Sequence, residues 1–515
     1  MIQQIDYFAI AAPLTLALVA GLVLLLDAFL PAGPRVRAGL GVVTLAGVLV
    51  ALGFVVAQAF AGRTLETFCV PAGLGGGDPG LCSFVVDRFT LVLAGLVLAA
   101  AVVVVLMSMA ELAGGGIPVG EWYFLLLCML VGAVTLPAAR DLIMLVVALE
   151  LVSLPVFALT ALKRYDGRAS EAAVKLFLVS VVSTAVMLFG VSLLYGVGGT
   201  VFLSPLAAVL GGEAPAPGWP EGAESFMAAE HGLPGVVTVG IVLVVAGFAF
   251  KIAAVPFHSW AADVYHGAPI PVAALLSVIS KAAGFAGLIL VLVAALPGQE
   301  ASWAPIVAVV SALTMTAGNL LAMRQSSAVR LLAWSSVAQS GYILAPLAVA
   351  LHTPGQGWMT SAVGASVAYL VIYTAMNLGA FAVVMLVART AVRNELADYR
   401  GLVFRRPAAG LALAFCLICL AGLPPGLAGL FAKVVVFREI VDGGAGWLAV
   451  VMAVNTVIGL YYYVVWAARL FVPEPAPVAR RAFPAAWAAA GVAVAAAVLF
   501  SVAPQLVLDL SLLSG

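Results

Sequence analysis

Charge is what this chain has least of. Its 515 residues include 23 basic and 23 acidic side chains and four histidines, so the net charge is zero and only 9% of residues are charged. A soluble domain carries about 25%. With 64% of its residues hydrophobic, the chain is excluded from the soluble class and is expected to be a polytopic membrane protein. It has no basic cluster to follow a phosphate backbone, so nucleic acid is excluded as a partner. Cysteine is also scarce. Five cysteines form no metal or cluster framework, and Cys416 and Cys419, although spaced C-x-x-C, lie in an apolar run without a second pair and read as small core residues. Cys69 and Cys82 share one hydrophilic loop and can pair if it faces an oxidising compartment. No H-E-x-x-H, phosphate loop or nucleophile elbow is present. The run Gly75-Gly76-Gly77-Asp78-Pro79-Gly80 matches G-x-G-x-x-G in form only, because it contains a proline and lacks a strand–helix context. Redox chemistry has no home in these residues. The start, Met1-Ile2-Gln3-Gln4-Ile5-Asp6, lacks the basic n-region of a signal peptide, so the first apolar run is expected to be a retained helix.

What charge there is falls in telling places. Eighteen of the basic residues are arginine and five are lysine. Lys163 is in a loop, whereas Lys175, Lys251, Lys281 and Lys433 all lie inside apolar runs. A charge near mid-bilayer costs about 2.5–3.5 kcal/mol on insertion scales, so each needs a physical reason. Arginine holds its proton at any relevant pH, whereas a lysine taken out of water can release one. Lysine at these four positions therefore fits proton transfer better than packing. Among the acids, only Glu150 sits near the middle of an apolar run.

Apolar runs of about 20 residues fall near 7–29, 37–61, 88–108, 118–137, 140–162, 170–197, 234–258, 269–296, 302–323, 328–350, 359–389, 407–440, 445–472 and 482–503. This predicts an all-α protein of about fourteen transmembrane helices. Two helices are expected to be discontinuous. Pro256 follows Lys251 by five residues and leaves the carbonyl of Ile252 without its usual partner. The run 407–440 contains Ala421-Gly422-Leu423-Pro424-Pro425-Gly426, which reads as unwound backbone between two half-helices, with Lys433 in the second. Irregular backbone at membrane depth survives only where it is buried in protein or lines a wet cavity.

Short loops on one side hold Arg35, Arg37, Lys163, Arg164, Arg168, Arg324, Arg330, Arg389, Arg393, Arg400, Arg405, Arg406, Arg480 and Arg481; the other side has only Arg63, Arg88, Arg140 and Arg438. The positive-inside rule then makes the first side cytoplasmic and puts both termini outside the cytoplasm. The loop 198–233, with Glu213, Glu221, Glu224 and Glu230, becomes an external solvated cover. In this frame Lys251, Lys281 and Lys433 form a staircase from the cytoplasmic half to the external half.

The chain divides into N-terminal helices (1–117), a block of five spans (118–296), a second block of five (302–472) and a last helix (482–515). An odd number of spans inverts the second block relative to the first, and the penultimate member of each carries one proline break and one lysine. Inverted repeats place discontinuous helices at corresponding positions near the ion site. Glu150 and Lys175, on consecutive helices, read as an acid–base pair or as a static ion pair. His258, seven residues after Lys251, would share its face if the helix resumed, and could relay protons at a cytoplasmic mouth. His266 reads as a loop residue.

The stretch from Phe250-Lys251 through Val255-Pro256-Phe257-His258-Ser259-Trp260 to Asp263-Val264-Tyr265-His266-Gly267-Ala268-Pro269 resembles the antiporter-like proton-pumping subunits of bacterial respiratory complex I, in their subunit N branch. Leu149-Glu150-Leu151-Val152-Ser153-Leu154-Pro155 is similar to the family's glutamate helix, and Leu420–Pro425 with Gly429-Leu430-Phe431-Ala432-Lys433 to its second broken helix. Lysine at 433 and the Asp-Val-Tyr…Gly-Ala-Pro wording favour that branch; Ala262 departs from the family's usual proline. The resemblance implies fourteen helices, two inverted five-helix repeats, and Glu150, Lys175, Lys251, Lys281 and Lys433 as a buried charged axis. It also implies M-like, K-like and J-like neighbours in the inner (plasma) membrane. Flavin, iron–sulfur clusters and quinone would belong to partner subunits, with no cofactor in this chain. The expected function is proton translocation coupled to NADH-quinone oxidoreduction; an Mrp-type cation/proton antiporter subunit and a structural scaffold are the alternatives.

Overall fold

The computed structural model describes residues 5–31, 33–71, 81–163, 166–212, 234–350, 358–391, 393–473 and 484–511. The acidic residues Glu213, Glu221, Glu224 and Glu230, the glycine run at 75–80, and Arg164, Arg480 and Arg481 lie outside them. Every expected span falls largely on helix, broken at 252–258 and 422–426. Among the described residues, eleven helices are long and apolar enough to cross a membrane: Ala11–Phe29, Pro34–Ala61, Arg88–Leu112, Val119–Ala138, Leu142–Ala161, Gly167–Gly198, Ile270–Ala295, Pro297–Ala322, Ser361–Ala388, Gly446–Leu470 and Pro484–Val502. The three remaining runs fall short for reasons written in their residues. Pro234–Lys251 stops before Pro256, and the run 407–440 is cut into Pro407–Ala421 and Leu427–Asp442. Ala328–Leu344 is 17 residues long and rich in hydroxyl and amide side chains, and at 1.5 Å per residue such a helix is about 25 Å long, against an apolar core of about 30 Å.

Several acids and hydroxyls stand at helix starts. Asp87, Asp141 and Asp166 each accept a hydrogen bond from a first-turn N–H of the helix that follows, and Ser327 and Thr360 do the same for theirs. These groups satisfy backbone donors that no helical carbonyl can reach. The helices pack around Ser361–Ala388 and Ile270–Ala295, nearly all of whose residues are buried. Large apolar side chains such as Leu18, Phe60, Val182 and Val457 remain exposed on the outer helices, as a lipid-facing surface requires.

Two features depart from an all-α chain with solvated loops. Leu65–Cys69 and Cys82–Val86 pair as an antiparallel hairpin in which Leu65 faces Val86 and Cys69 faces Cys82. Alternate residues of both strands are buried, a period-2 pattern too short to register beside the long apolar runs. Cys69 and Cys82 form a disulfide. The loop after Gly198 also folds back. Leu203–Leu210 is a helix with Leu203, Leu206, Val209 and Leu210 buried. It is tied to the start of Leu142–Ala161 by hydrogen bonds from Leu142 N to the Val201 carbonyl (2.9 Å) and from Leu203 N to the Arg140 carbonyl (3.0 Å). Burial of that leucine face, rather than acidic solvation, governs this part of the loop.

Because Cys128, Cys416 and Cys419 are free and the other two cysteines are joined, alkylation of the denatured chain should label three cysteines before reduction and five after it. Mass spectrometry of the intact chain reads this directly; five labels without reductant would refute the bridge.

Candidate functional site

The first broken helix explains how a buried lysine network can form. Pro234–Lys251 ends at Lys251, and Ile252–His258 is irregular, with Ala253 in the left-handed region at φ 57° and a cis bond before Pro256. Three of the backbone groups at this break are met by side chains. Trp260 Nε1 donates to the Phe250 carbonyl at 3.2 Å, Val255 N donates to Thr314 Oγ1 at 2.9 Å, and Ser340 Oγ donates to the Ile252 carbonyl at 2.7 Å. The carbonyl that Pro256 was expected to strand is therefore the one that Ser340 engages.

Lys251 is buried, and its Nζ donates to Ser153 Oγ at 2.5 Å and Ser180 Oγ at 3.2 Å. Glu150 Oε1 lies 3.4 Å away and accepts from Thr184 Oγ1 at 2.8 Å. Ser153 follows Glu150 by one helical turn, so both reach the same space. Beside them is a cavity of about 20 Å³ lined by Ser153, Ser180, Lys251, Trp260 and Ser280. That is room for about one water molecule.

Lys281 stands directly after Ser280, at the end of a π-helical turn, Leu276–Ser280. Such turns widen a helix and recur at functional sites. Only 1% of Lys281 is exposed. Its Nζ donates to the Ser336 carbonyl and, at 2.7 Å, to Ser340 Oγ. The hydroxyl bound to the broken helix is thus also bound to Lys281. Tyr373 donates to Ser336 Oγ at 2.9 Å, and Asn377 Nδ2 donates to Ser277 Oγ at 2.7 Å. Farther along, Tyr369 donates to Gln339 Oε1 (2.6 Å), Gln339 Nε2 donates to the Tyr463 hydroxyl (3.2 Å), and Tyr342 stacks on Tyr369.

The ring of Tyr342 lies 5.7 Å from Lys433 Nζ. Lys433 reaches back across the second break and donates to the carbonyls of Leu420 (3.1 Å) and Ala421 (2.8 Å), the last turn of Pro407–Ala421. A cation at a helix C-terminus meets the negative end of its dipole. Gly422 turns the chain at φ 82°, Pro424–Pro425 is a second cis bond, and Ala428 N donates to Ser501 Oγ at 3.1 Å. Among the described residues, neither Lys281 nor Lys433 has a carboxylate within ion-pair distance. Both are held by neutral oxygens and, for Lys433, an aromatic face.

Three expectations change. Lys175 does not meet Glu150. Its Nζ pairs with Glu171 (2.6 Å) and Asp263 (3.2 Å), and its side chain is 44% exposed. The residue of that helix facing Glu150 is Thr184, nine positions on and about 13 Å along the axis. His258 does not share a face with Lys251, because Ile252–His258 is not helical; it lies edge-on to Trp334, 5.5 Å away. His266 is in a helix, Ser259–Gly267, with Nδ1 3.4 Å from Ser327 Oγ. Asp263, on the same helix, also accepts from Arg330 Nη1 at 2.8 Å. Burial would push its carboxyl up, but Arg330 and Lys175 together hold it below the usual carboxylate range. Burial, reinforced by Arg330 and Arg168 and opposed by Asp263, pushes the His266 imidazole below its ordinary value.

Sequence reading missed Ser153, Ser180, Thr184, Ser336, Ser340 and the tyrosines. Their signal was present as polar residues at helical spacing, in Ser336 with Ser340 and Glu150 with Ser153, and in the low apolarity of Ala328–Leu344. Each reads as an ordinary small polar residue until the neighbouring helix is placed.

The second break depends on a close approach of its two halves. A Cβ on Gly429 would run into the backbone carbonyl of Cys419, whereas one on Gly53 would meet nothing within 4 Å. Gly429→Ala should therefore destabilise the fold by about 1–3 kcal/mol, and Gly53→Ala should leave it near neutral. Thermal unfolding of the purified variants checks this; equal melting temperatures would refute the packing.

A family model described as NADH:quinone oxidoreductase/Mrp antiporter, TM, matches residues 139–459. The chain is 50% identical over 483 residues to NADH-quinone oxidoreductase subunit N 2 of Streptomyces griseus, covering 93% of this chain and 85% of that protein. It is 44% identical over 466 residues to NADH-quinone oxidoreductase subunit N of Salinispora tropica, covering 90% and 84%. Among solved structures it is similar to a chain of respiratory complex I from Thermus thermophilus, with 29% identity, a TM-score of 0.73 and coverage of 97% and 98%. A chain of the Mrp complex from Dietzia, at 21% identity with a TM-score of 0.79 and coverage of 98% and 96%, shares the fold. With a family model spanning most of its length and subunit N proteins among its relatives, the chain belongs to the NADH:quinone oxidoreductase/Mrp antiporter family of membrane subunits.

Proposed function

We propose that this chain carries protons across the membrane along Glu150, Lys251, Lys281 and Lys433, as a membrane-arm subunit of an NADH-quinone oxidoreductase. One observation carries the reading: Ser340 joins Lys281 to the Ile252 carbonyl, immediately after Lys251 in the broken helix. The Glu150–Lys251 pair supplies an acid and a base in contact, and the cavity between Lys251 and Ser280 has room for a bridging water. Lysine suits each station because it can exist charged and neutral, which arginine cannot.

In this reading fourteen helices cross the membrane, 118–296 and 302–472 are inverted repeats, and both termini lie outside the cytoplasm. The lysines then act in sequence from the cytoplasmic half outward. Lys251 loads from the side of His258, His266 and the Lys175–Asp263–Arg330 cluster, Lys281 relays, and Lys433 releases. Lys175 acts at the entrance, through Asp263, rather than as the partner of Glu150. A charge change in a neighbouring subunit, M-like, K-like or J-like, alters the Glu150–Lys251 pair, and the effect passes along the axis because charges in a poorly screened interior feel one another over several ångströms. The flavin, iron–sulfur and quinone chemistry belongs to partner subunits.

Donor-driven proton uptake into inverted membrane vesicles tests the relay. Lys281→Ala should abolish uptake with the complex intact on a native gel, whereas Lys163→Ala, in the loop, should leave it unchanged. Equal uptake in both would favour a scaffold. Ser340→Ala should lower uptake by about tenfold to a hundredfold, the loss of one charge-assisted hydrogen bond of about 1.5–3 kcal/mol, and Ser340→Thr should restore it. Undiminished uptake in Ser340→Ala would remove the serine bridge from the path.

A further inference from the structure

Away from the lysines, a cleft of about 720 Å³ opens between Pro34–Ala61, Arg88–Leu112, Ser361–Ala388 and Pro484–Val502. We propose that it is a binding site for one anionic phospholipid. Its volume is that of a small-molecule site, about 300–1,000 Å³.

The two ends of the cleft differ in chemistry. Its interior is hydrocarbon, floored by the small residues Gly95, Ala99, Ala375, Ala493 and Ala496. The two polar side chains deeper in the cleft are already engaged. Gln58 donates to the carbonyls of Phe8 and Ala9, and Thr374 donates to that of Leu370. The interior thus asks for nothing but apolar contact. The mouth is cationic. Arg63 lies just past the end of Pro34–Ala61, Arg88 opens Arg88–Leu112, and both are exposed. Asp87, beside them, is committed to Arg140 at 2.5 Å, and Arg88 Nη2 donates to the Asp509 carbonyl at 2.9 Å. Two guanidinium groups therefore stand where helices end, at the level of lipid headgroups, and guanidinium pairs well with phosphate.

Length agrees with this division. Arg88 and Val103 both line the cleft, and fifteen residues of helix extend about 22 Å. That exceeds the apolar depth of one leaflet, about 15 Å, so the cleft is long enough to hold a full acyl chain. A chain entering at the mouth would keep its phosphate by the arginines and its acyl carbons against Val55, Leu91, Gly95 and Ala99. Among the described residues, the lining of the cleft includes none of Glu150, Lys251, Lys281 and Lys433, so occupancy and proton transfer are separable.

Native mass spectrometry of the delipidated full-length chain, re-supplied with phosphatidylglycerol or phosphatidylcholine, tests the site. Wild type should retain one phosphatidylglycerol per chain and lose phosphatidylcholine. Arg63→Gln with Arg88→Gln should weaken retention about 30-fold, about fivefold for each arginine near the surface. Ala99→Phe fills the cleft without touching the mouth and should abolish retention. Excess inorganic phosphate should leave the lipid bound, since the acyl chain contributes most of the contact. Equal retention of both lipids, displacement by phosphate, or full retention in the arginine double variant would overturn the proposal. The arginine variants alter exposed residues only, so they decide the matter even if Ala99→Phe fails to fold.

Discussion

Helix carbonyls released by proline breaks are what the interior of this protein depends on. At the first break the freed carbonyl of Ile252 takes the hydroxyl of Ser340, which in turn takes the ammonium of Lys281. At the second the last carbonyls of Pro407–Ala421 take Lys433 directly. In a bilayer an unpaired backbone oxygen costs several kcal/mol, and so does a lone cation. Each solves the other's problem. The broken backbone and the buried lysines are one device, and neither would be stable in the interior without the other.

The two breaks use this device differently. Lys251 is the last residue of its half-helix and points to a carboxylate and two serines. Lys433 starts beyond its break and reaches back to the preceding half. The first lysine therefore has a counter-charge able to pull on its proton, and among the described residues the second has only dipoles and the Tyr342 face. Between them, Lys281 touches oxygens from one neighbouring helix, Ala328–Leu344. That helix is less apolar than the other long helices because its Ser335, Ser336, Gln339 and Ser340 serve this interior. Its low hydropathy is the cost of lining a polar path.

The outer parts of the molecule follow simpler physics. The hairpin joined by Cys69–Cys82 and the leucine helix Leu203–Leu210 cap one end of the bundle through burial and backbone pairing. At Lys175, Asp263, Arg330 and His266, charges pair close to the surface, where exposed ion pairs are worth about 0–1 kcal/mol. These contacts position Ser259–Gly267 against Ala328–Leu344 more than they stabilise the whole.

Sequence alone determined that the chain is a membrane protein, where its helices run, that two of them break, and that Lys251, Lys281 and Lys433 are buried. Those conclusions follow from local physics: run length against bilayer thickness, the missing N–H of proline, and the penalty for charge in hydrocarbon. Only the tertiary structure decided that Glu150 meets Lys251 and Thr184 rather than Lys175, and that His258 is turned away from Lys251. It alone found the hydroxyls of Ser153, Ser180 and Ser340. Helix spacing tells which residues share a face, but not which neighbouring helix that face will meet, nor how an irregular stretch such as Ile252–His258 will turn. Partners drawn from helices far apart in the chain are chosen by packing, and packing is a property of the assembled bundle.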